Sequence, residues 1–145
     1  MATGDRVDPY SQFNFLVEIE GVVQGAFTEA SGLSNQVATI DYREGNEPGR
    51  VRKLPGLVEY SNITLKRGFV GSTELWTWHK TTLDGHTERR AGSIILMDEG
   101  REEVMRWNFF EGWVCKWEGP TLNSTANEVA VESLEICHEG LELAT

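Results

Sequence analysis

Residues 102–119 alternate in a way that a long β-strand explains. Met105, Trp107, Phe109, Trp113, Cys115 and Trp117 share one parity, opposite Arg106, Asn108, Lys116 and Glu118, and successive side chains of a strand point to opposite faces. Aromatics this large on one face can seal a substantial core. Phe110 breaks the alternation and Gly112 follows it, so the pattern predicts a bulge or sharp coil at that point.

Shorter strands surround it. Phe13, Phe15, Val17 and Ile19 alternate with Asn14, Leu16, Glu18 and Glu20 before Gly21 ends the run. Residues 22–30 read as a returning strand, closed by the turn chemistry of Ser31-Gly32-Leu33-Ser34-Asn35. A third strand over 36–43 puts Ala38, Ile40 and Tyr42 on one face and Val37, Thr39, Asp41 and Arg43 on the other. Residues 58–67 read as one strand, with Ile63 and Leu65 opposite Tyr60, Asn62, Thr64 and Lys66, a face suited to a water-filled space.

Near the end the parity changes: Val129 and Val131 share one phase, Leu134 and Ile136 the other, and Leu141 and Leu143 return to the first. Either a bulge near Ser133 re-aims the side chains or the strand crosses between sheets. The one convincing helix carries Leu75, Trp76, Trp78, His79, Thr82 and Leu83 at helical spacing, with Ser72 as cap and Gly85 as terminator. The expected fold is mainly β: a two-sheet β-sandwich or small barrel with one flanking α-helix, in one domain spanning all 145 residues.

Residues 44–56 differ in composition. Gly45, Pro48, Gly49, Pro55 and Gly56 surround Arg50, Arg52 and Lys53, which reads as a long loop without regular structure. It is the most basic stretch of an acidic chain, which holds 13 Lys and Arg against 23 Asp and Glu for a formal charge of −10. That balance argues against a surface that binds nucleic acid throughout, because phosphate contacts need a basic footprint.

Signals for chemistry are weak. His79, His86 and His138 are scattered with no metal-ligand spacing, and no nucleophile elbow or phosphate-binding loop occurs. No cofactor is expected. The acidic pairs Glu18/Glu20, Asp98/Glu99, Glu102/Glu103 and Glu132/Glu135 read as solvated strand surfaces that discourage edge aggregation. Cys115 and Cys137 sit in apolar strand-like settings and read as reduced, buried thiols of a cytosolic protein. A secretory leader and a membrane-length apolar run are both missing from the pattern, so stable membrane insertion by the monomer is not expected.

Six segments, residues 13–21, 27–33, 42–45, 54–56, 63–68 and 76–85, fall in an order and spacing that resembles the major tail tube protein family of contractile-tailed phages and phage-like contractile injection systems. The resemblance implies a sandwich related to the tube protein of type VI secretion, closing as hexameric rings that stack into a hollow tube. It implies partners as well: other copies of the chain, a contractile sheath protein, baseplate and tube-terminating proteins, and effector cargo or phage DNA in the lumen. The tube would be made in the cytoplasm and end in a phage tail or injection particle. No reaction is implied.

Carried onto this chain, the resemblance places the loop at about 44–57 between rings, with Arg50, Arg52 and Lys53 facing acidic groups and Val51, Leu54 and Leu57 in apolar contact. It makes Thr39, Asp41, Arg43, Asn62, Thr64 and Lys66 candidates for lining the channel, with either parity open. The alternatives are a minor tube initiator next to the baseplate, and a monomeric β-sandwich effector or carbohydrate-binding module using exposed tryptophans. A carboxylate-dependent hydrolase stands third.

Overall fold

The long alternating segment is the strand on which the fold is built. In the computed structural model, which describes residues 14–20, 27–43, 45, 49–68, 73–125 and 129–144, it is β7 (Glu103–Glu118). Before it come β1 (Phe15–Ile19), β2 (Glu29–Ser31), β3 (Asn35–Tyr42), β4 (Arg52–Tyr60), β5 (Ile63–Gly68), α1 (Glu74–Leu83) and β6 (Arg90–Met97); after it come β8 (Val131–Cys137) and β9 (Gly140–Ala144).

β7 belongs to two sheets. Its first part pairs with β6 on one side and β9 on the other, and its second part pairs with β8. The strand order β1-β6-β7-β8-β5-β2 does not close on itself, so the fold is a sandwich of two sheets joined through β7 and not a closed barrel. β2 pairs with β5 instead of returning beside β1, and the rest of the expected second strand, residues 22–26, lies outside the described residues.

The bulge expected near Phe110 is present. Register slips between Arg90↔Gly112 and Gly92↔Phe109, and Glu111 takes φ 54° there. A second slip, between Val114↔Ile136 and Lys116↔Glu135, leaves Cys115 as an extra residue. Each added residue reverses the side to which later side chains point, so one parity does not hold along β7. Phe109 and Val114 are buried and Trp117 packs on the core, whereas Trp113 is absent from that cluster.

The core joins both sheets and the helix. Val17, Ile63, Leu65, Leu75, Phe109 and Ile136 are fully buried, and complete burial of such side chains is each worth roughly 1.5–3 kcal/mol. α1 packs on β7 through Leu75 and Trp78, its two buried residues, and the Trp78 indole donates to the Glu88 carbonyl at 2.8 Å. Gly85, at φ 82°, ends the helix, with His86 N–H donating to the Thr81 carbonyl at 2.8 Å. The expected cap Ser72 lies outside the described residues; Thr73 occupies the N-cap and makes no side-chain cap bond.

Of the two late changes of parity, the first is no change of course, since Val129 and Val131 are exposed while Leu134 and Ile136 are buried, and the second comes from a break and not a bulge. β8 keeps an unbroken register against β5 from Ile63↔Ile136 to Gly68↔Val131. The chain then turns at His138 and Glu139, and β9 crosses to the first part of β7, where Leu141 is buried. The odd member of the inward set is Glu132, buried beside Arg67 with Nε to Oε1 at 2.5 Å.

Residues 44–56 are not loop throughout. From Arg52 the chain is β4, paired antiparallel with β3 through Tyr42↔Arg52, Asp41↔Lys53, Ile40↔Leu54 and Thr39↔Pro55. Gly56 and Leu57 then stand opposite Ala38 as a bulge. A two-stranded ribbon leaves half of its backbone donors without a strand partner, so a proline beside a bulge is tolerated. Nor is 58–67 one strand, since the chain breaks at Ser61 and Asn62 between β4 and β5.

The base of the ribbon depends on Gly32. It sits at φ 86°, and a Cβ built there would lie 2.0 Å from the Asn62 carbonyl oxygen. A left-handed backbone and a clash with main chain leave no cheap relaxation, so Gly32→Ala is expected to lower stability by about 2–3 kcal/mol. Urea denaturation of the unassembled subunit would read this as a lower midpoint at unchanged slope; an unshifted midpoint would contradict it.

Candidate assembly surfaces

The first surface is the ribbon. Ser34 Oγ donates to Ser61 Oγ at 2.7 Å and Ser61 N–H to the Ser34 carbonyl at 3.2 Å, which ties its base. Beyond the base, neither strand makes more than marginal contact with any other element. Ala38, Ile40 and Tyr42 lie on one face with Leu54 and Arg52, as the alternation of β3 dictates. Thr39 and Asp41 lie on the other with Pro55 and Lys53. Its apolar side chains are exposed: Leu57 to 81%, Ile40 to 52% and Leu54 to 43%. Isolated exposed apolar residues are ordinary, but this many on one unsupported ribbon mark a contact surface. Arg50 and Val51 precede β4 and are exposed as well.

The second surface is the outer face of the β2-β5-β8-β7 sheet. Ile63, Leu65 and Arg67 of β5 point inward, so Asn62, Thr64 and Lys66 point out. Ser133 and Glu135 do the same between the buried Glu132, Leu134 and Ile136. Both lysines of this face are paired with acids. Lys66 Nζ lies 3.1 Å from Glu29, its cross-strand partner, and Lys116 Nζ lies 2.9 Å from Glu118. Asn62 Nδ2 donates to Glu135 Oε1 at 2.9 Å. The Lys116 ammonium, through a hydrogen bond first and charge second, holds the Glu118 carboxyl below the usual range.

The six candidate lining residues therefore divide. Asn62, Thr64 and Lys66 share the sheet face, whereas Thr39 and Asp41 stand on the ribbon and Arg43 just past β3. Four residues of the face, Glu29, Lys116, Glu118 and Glu135, escaped the sequence reading. The alternation Glu132, Leu134, Ile136 against Ser133 and Glu135 carries the signal for one of them, Glu135, masked by an acid at an inward position.

Two thiols lie on β7 and β8. Cys115 and Cys137 are both free and half-buried. Burial first, and then the hydrogen bond with Cys137, pushes the Cys115 thiol up to about 12. It therefore stays protonated near neutral pH, which makes it a poor nucleophile. Trp78 is buried, Trp107 and Trp117 pack on the core, and the more exposed Trp76 rests against Trp117 with ring centroids 5.0 Å apart.

An open-ended sandwich with one polar sheet face and a projecting apolar ribbon is a subunit built to be completed by neighbours. The chain belongs to the family described as T4-like virus tail tube protein gp19, whose model matches residues 11–142. It is similar to a chain of the PVC sheath-tube complex, an extracellular contractile injection system in its extended state, at 29% identity and TM-score 0.83 over 94% of this chain and 91% of that one. A chain in the cap that terminates the anti-feeding prophage tube is 30% identical, with TM-score 0.86 over 99% and 97%. Hcp1 from Flavobacterium johnsoniae, at 17% identity and TM-score 0.61 over 89% and 93%, shares the fold. No curated protein matches the sequence. The role is structural, that of an inner tube subunit of a phage tail or contractile injection system. Among the described residues no helix is long and apolar enough to cross a membrane.

Proposed function

We propose that the chain acts as one tube-building unit, six copies of which close into a ring whose inner wall is the outer face of the β2-β5-β8-β7 sheet. The observation that carries this reading is that sheet's polar face, which pairs its lysines with acids and is bounded by the short edge strand β2. Edge strands left open invite uncontrolled pairing, and a closed ring removes them. Asn62, Thr64 and Lys66 line the lumen, together with Glu29, Lys116, Glu118 and Glu135. Thr39, Asp41 and Arg43 belong instead to contacts between subunits.

Rings stack head to tail through the ribbon and its tip, with Arg50, Val51, Arg52, Lys53, Leu54 and Leu57 at the junction. Such a contact does not close, so it propagates as a filament. A sheath drives the tube through a target envelope, and a baseplate and a cap bound its ends; the similar chains come from sheath-tube and cap assemblies. Cargo, protein or DNA, passes a wall whose lysines are already paired. The subunit is made in the cytoplasm and performs no bond chemistry.

Negative-stain electron microscopy of the purified protein over a range of concentrations tests this directly. Rings or stacked tubes of uniform diameter are expected. A monomer that persists under crowding and in the presence of the cognate baseplate component would overturn the reading.

A further inference from the structure

A ribbon that makes its contacts away from its own domain needs a surface to receive it. One cleft on the molecule has the matching chemistry. It opens between β1 and β2, has a volume of about 280 Å³, and is walled by Phe15, Ile94, Leu96 and Trp107 on one side and by Ala30 and Leu33 on the other. That is below the roughly 300–1,000 Å³ of ordinary small-molecule sites. It suits a pair of aliphatic side chains.

The rim is acidic. Asn14 Nδ2 donates to the Asp98 carbonyl at 3.3 Å and Met97 N–H to the Asn14 carbonyl at 2.8 Å, which ties the turn after β6 to the start of β1 beside Phe15. That turn carries Asp98, Glu99 and Glu102, all within five positions. Glu29 forms part of the opposite lip. The ribbon presents the complement: Ile40 and Leu54 are direct cross-strand partners on one face, Arg52 shares that face, and Arg50 precedes it by two positions.

The ribbon cannot fill the cleft of its own subunit. Leu33, two residues before β3, is itself part of the cleft wall. Ile40 stands further along the extended chain by roughly 20 Å, at about 3.3 Å per residue, and no other element holds the ribbon back against the domain.

We propose that the cleft between β1 and β2 receives Ile40 and Leu54 from the ribbon of a second copy of this chain, with Arg50 and Arg52 set against Asp98, Glu99 and Glu102. This rests on the tube reading and identifies both halves of the contact between stacked rings. The apolar pair supplies the buried centre and the charges fix orientation at the rim. Each subunit carries one ribbon and one cleft on different parts of its surface, so every added ring offers a new ribbon or a new cleft.

The test uses assembled tubes of the full chain carrying a photoreactive diazirine amino acid in place of Leu54. After irradiation, mass spectrometry is expected to find cross-links between subunits to peptides containing Phe15, Leu96 or Trp107. In parallel, R50E/R52E and E99K/E102K are each expected to raise the concentration needed for tube formation at least tenfold, and the combined variant to recover most of that loss. Tubes whose cross-links fall elsewhere, or a combined variant no better than either parent, would overturn the cleft assignment and leave the tube standing. Failure of the unmodified protein to form any tube under crowding and with the cognate baseplate component would instead overturn the tube reading beneath it.

Discussion

Glu132→Ala is expected to destabilise the subunit by about 3–5 kcal/mol, the usual result of stranding one member of a buried ion pair. Arg67 and Glu132 are 4% and 2% exposed and bonded through Nε and Oε1 at 2.5 Å. Arg67 also lies over the Phe27 ring, its Cζ 5.6 Å from the centroid, while its Nη2 finds no hydrogen-bond partner among the described residues. Removing the carboxylate leaves a guanidinium in an apolar interior with no carboxylate among the described residues bonded to it.

A domain holds only roughly 5–15 kcal/mol in total, so the variant should sit close to its unfolding midpoint at growth temperature. The companion R67M/E132L, which removes both charges and retains bulk, should lose far less and can equal the parent. Guanidinium denaturation of unassembled protein would separate the two. A single substitution costing under about 1 kcal/mol would mean that water reaches the pair, contrary to its burial.

The second large effect is on assembly and leaves folding alone. Replacing Arg50, Arg52 and Lys53 together by glutamate should abolish tubes while leaving folded subunits or single rings. These three cations lie on an exposed ribbon of a chain with a formal charge of −10. Reversal removes the attraction and sets acid against acid, a repulsion worth several kcal/mol across an interface. Circular dichroism should be unchanged, and sedimentation should show loss of the polymer alone. Tubes of normal length from this variant would remove charge from the account of ring stacking.

Legibility in the sequence followed burial. β1, α1 and the inner residues of β5 read clearly, because one apolar face against one polar face imposes period two or 3.6 on the residues, whereas β3 was legible by alternation alone, although it is exposed along its length. The bulge at Phe110 was legible because Gly112 and a broken alternation coincide. The one at Cys115 was not, since Trp113, Cys115 and Trp117 continue an unbroken parity while the chain gains a residue against β8. β4 was hidden for the opposite reason: an exposed ribbon has no buried face, so Pro55 and Gly56 read as breakers although Pro55 pairs with Thr39 and Gly56 sits in the bulge beside it.

The two proposed surfaces divide along the same line. Asn62, Thr64 and Lys66 could be picked out because Ile63 and Leu65 between them are core. Glu29, Lys116 and Glu118 join them only through strand pairing, which no local pattern encodes. Their neighbour Glu135 was obscured by Glu132, an acid that occupies an inward position because Arg67 waits there.

The ribbon also bears on when a tube can begin. A two-stranded hairpin without a packed face is marginally stable in water, so a lone subunit must spend free energy to hold its connector straight. The first few contacts are therefore the costly ones. Growth on an existing end presents the newcomer with a template, whereas spontaneous start-up does not, and assembly kinetics should show a lag that short tube fragments abolish. Delay of this kind would keep subunits in reserve at concentrations that already favour polymer. The length of the connector thereby becomes a clock, letting a cell stockpile parts without building tubes where no base has been laid.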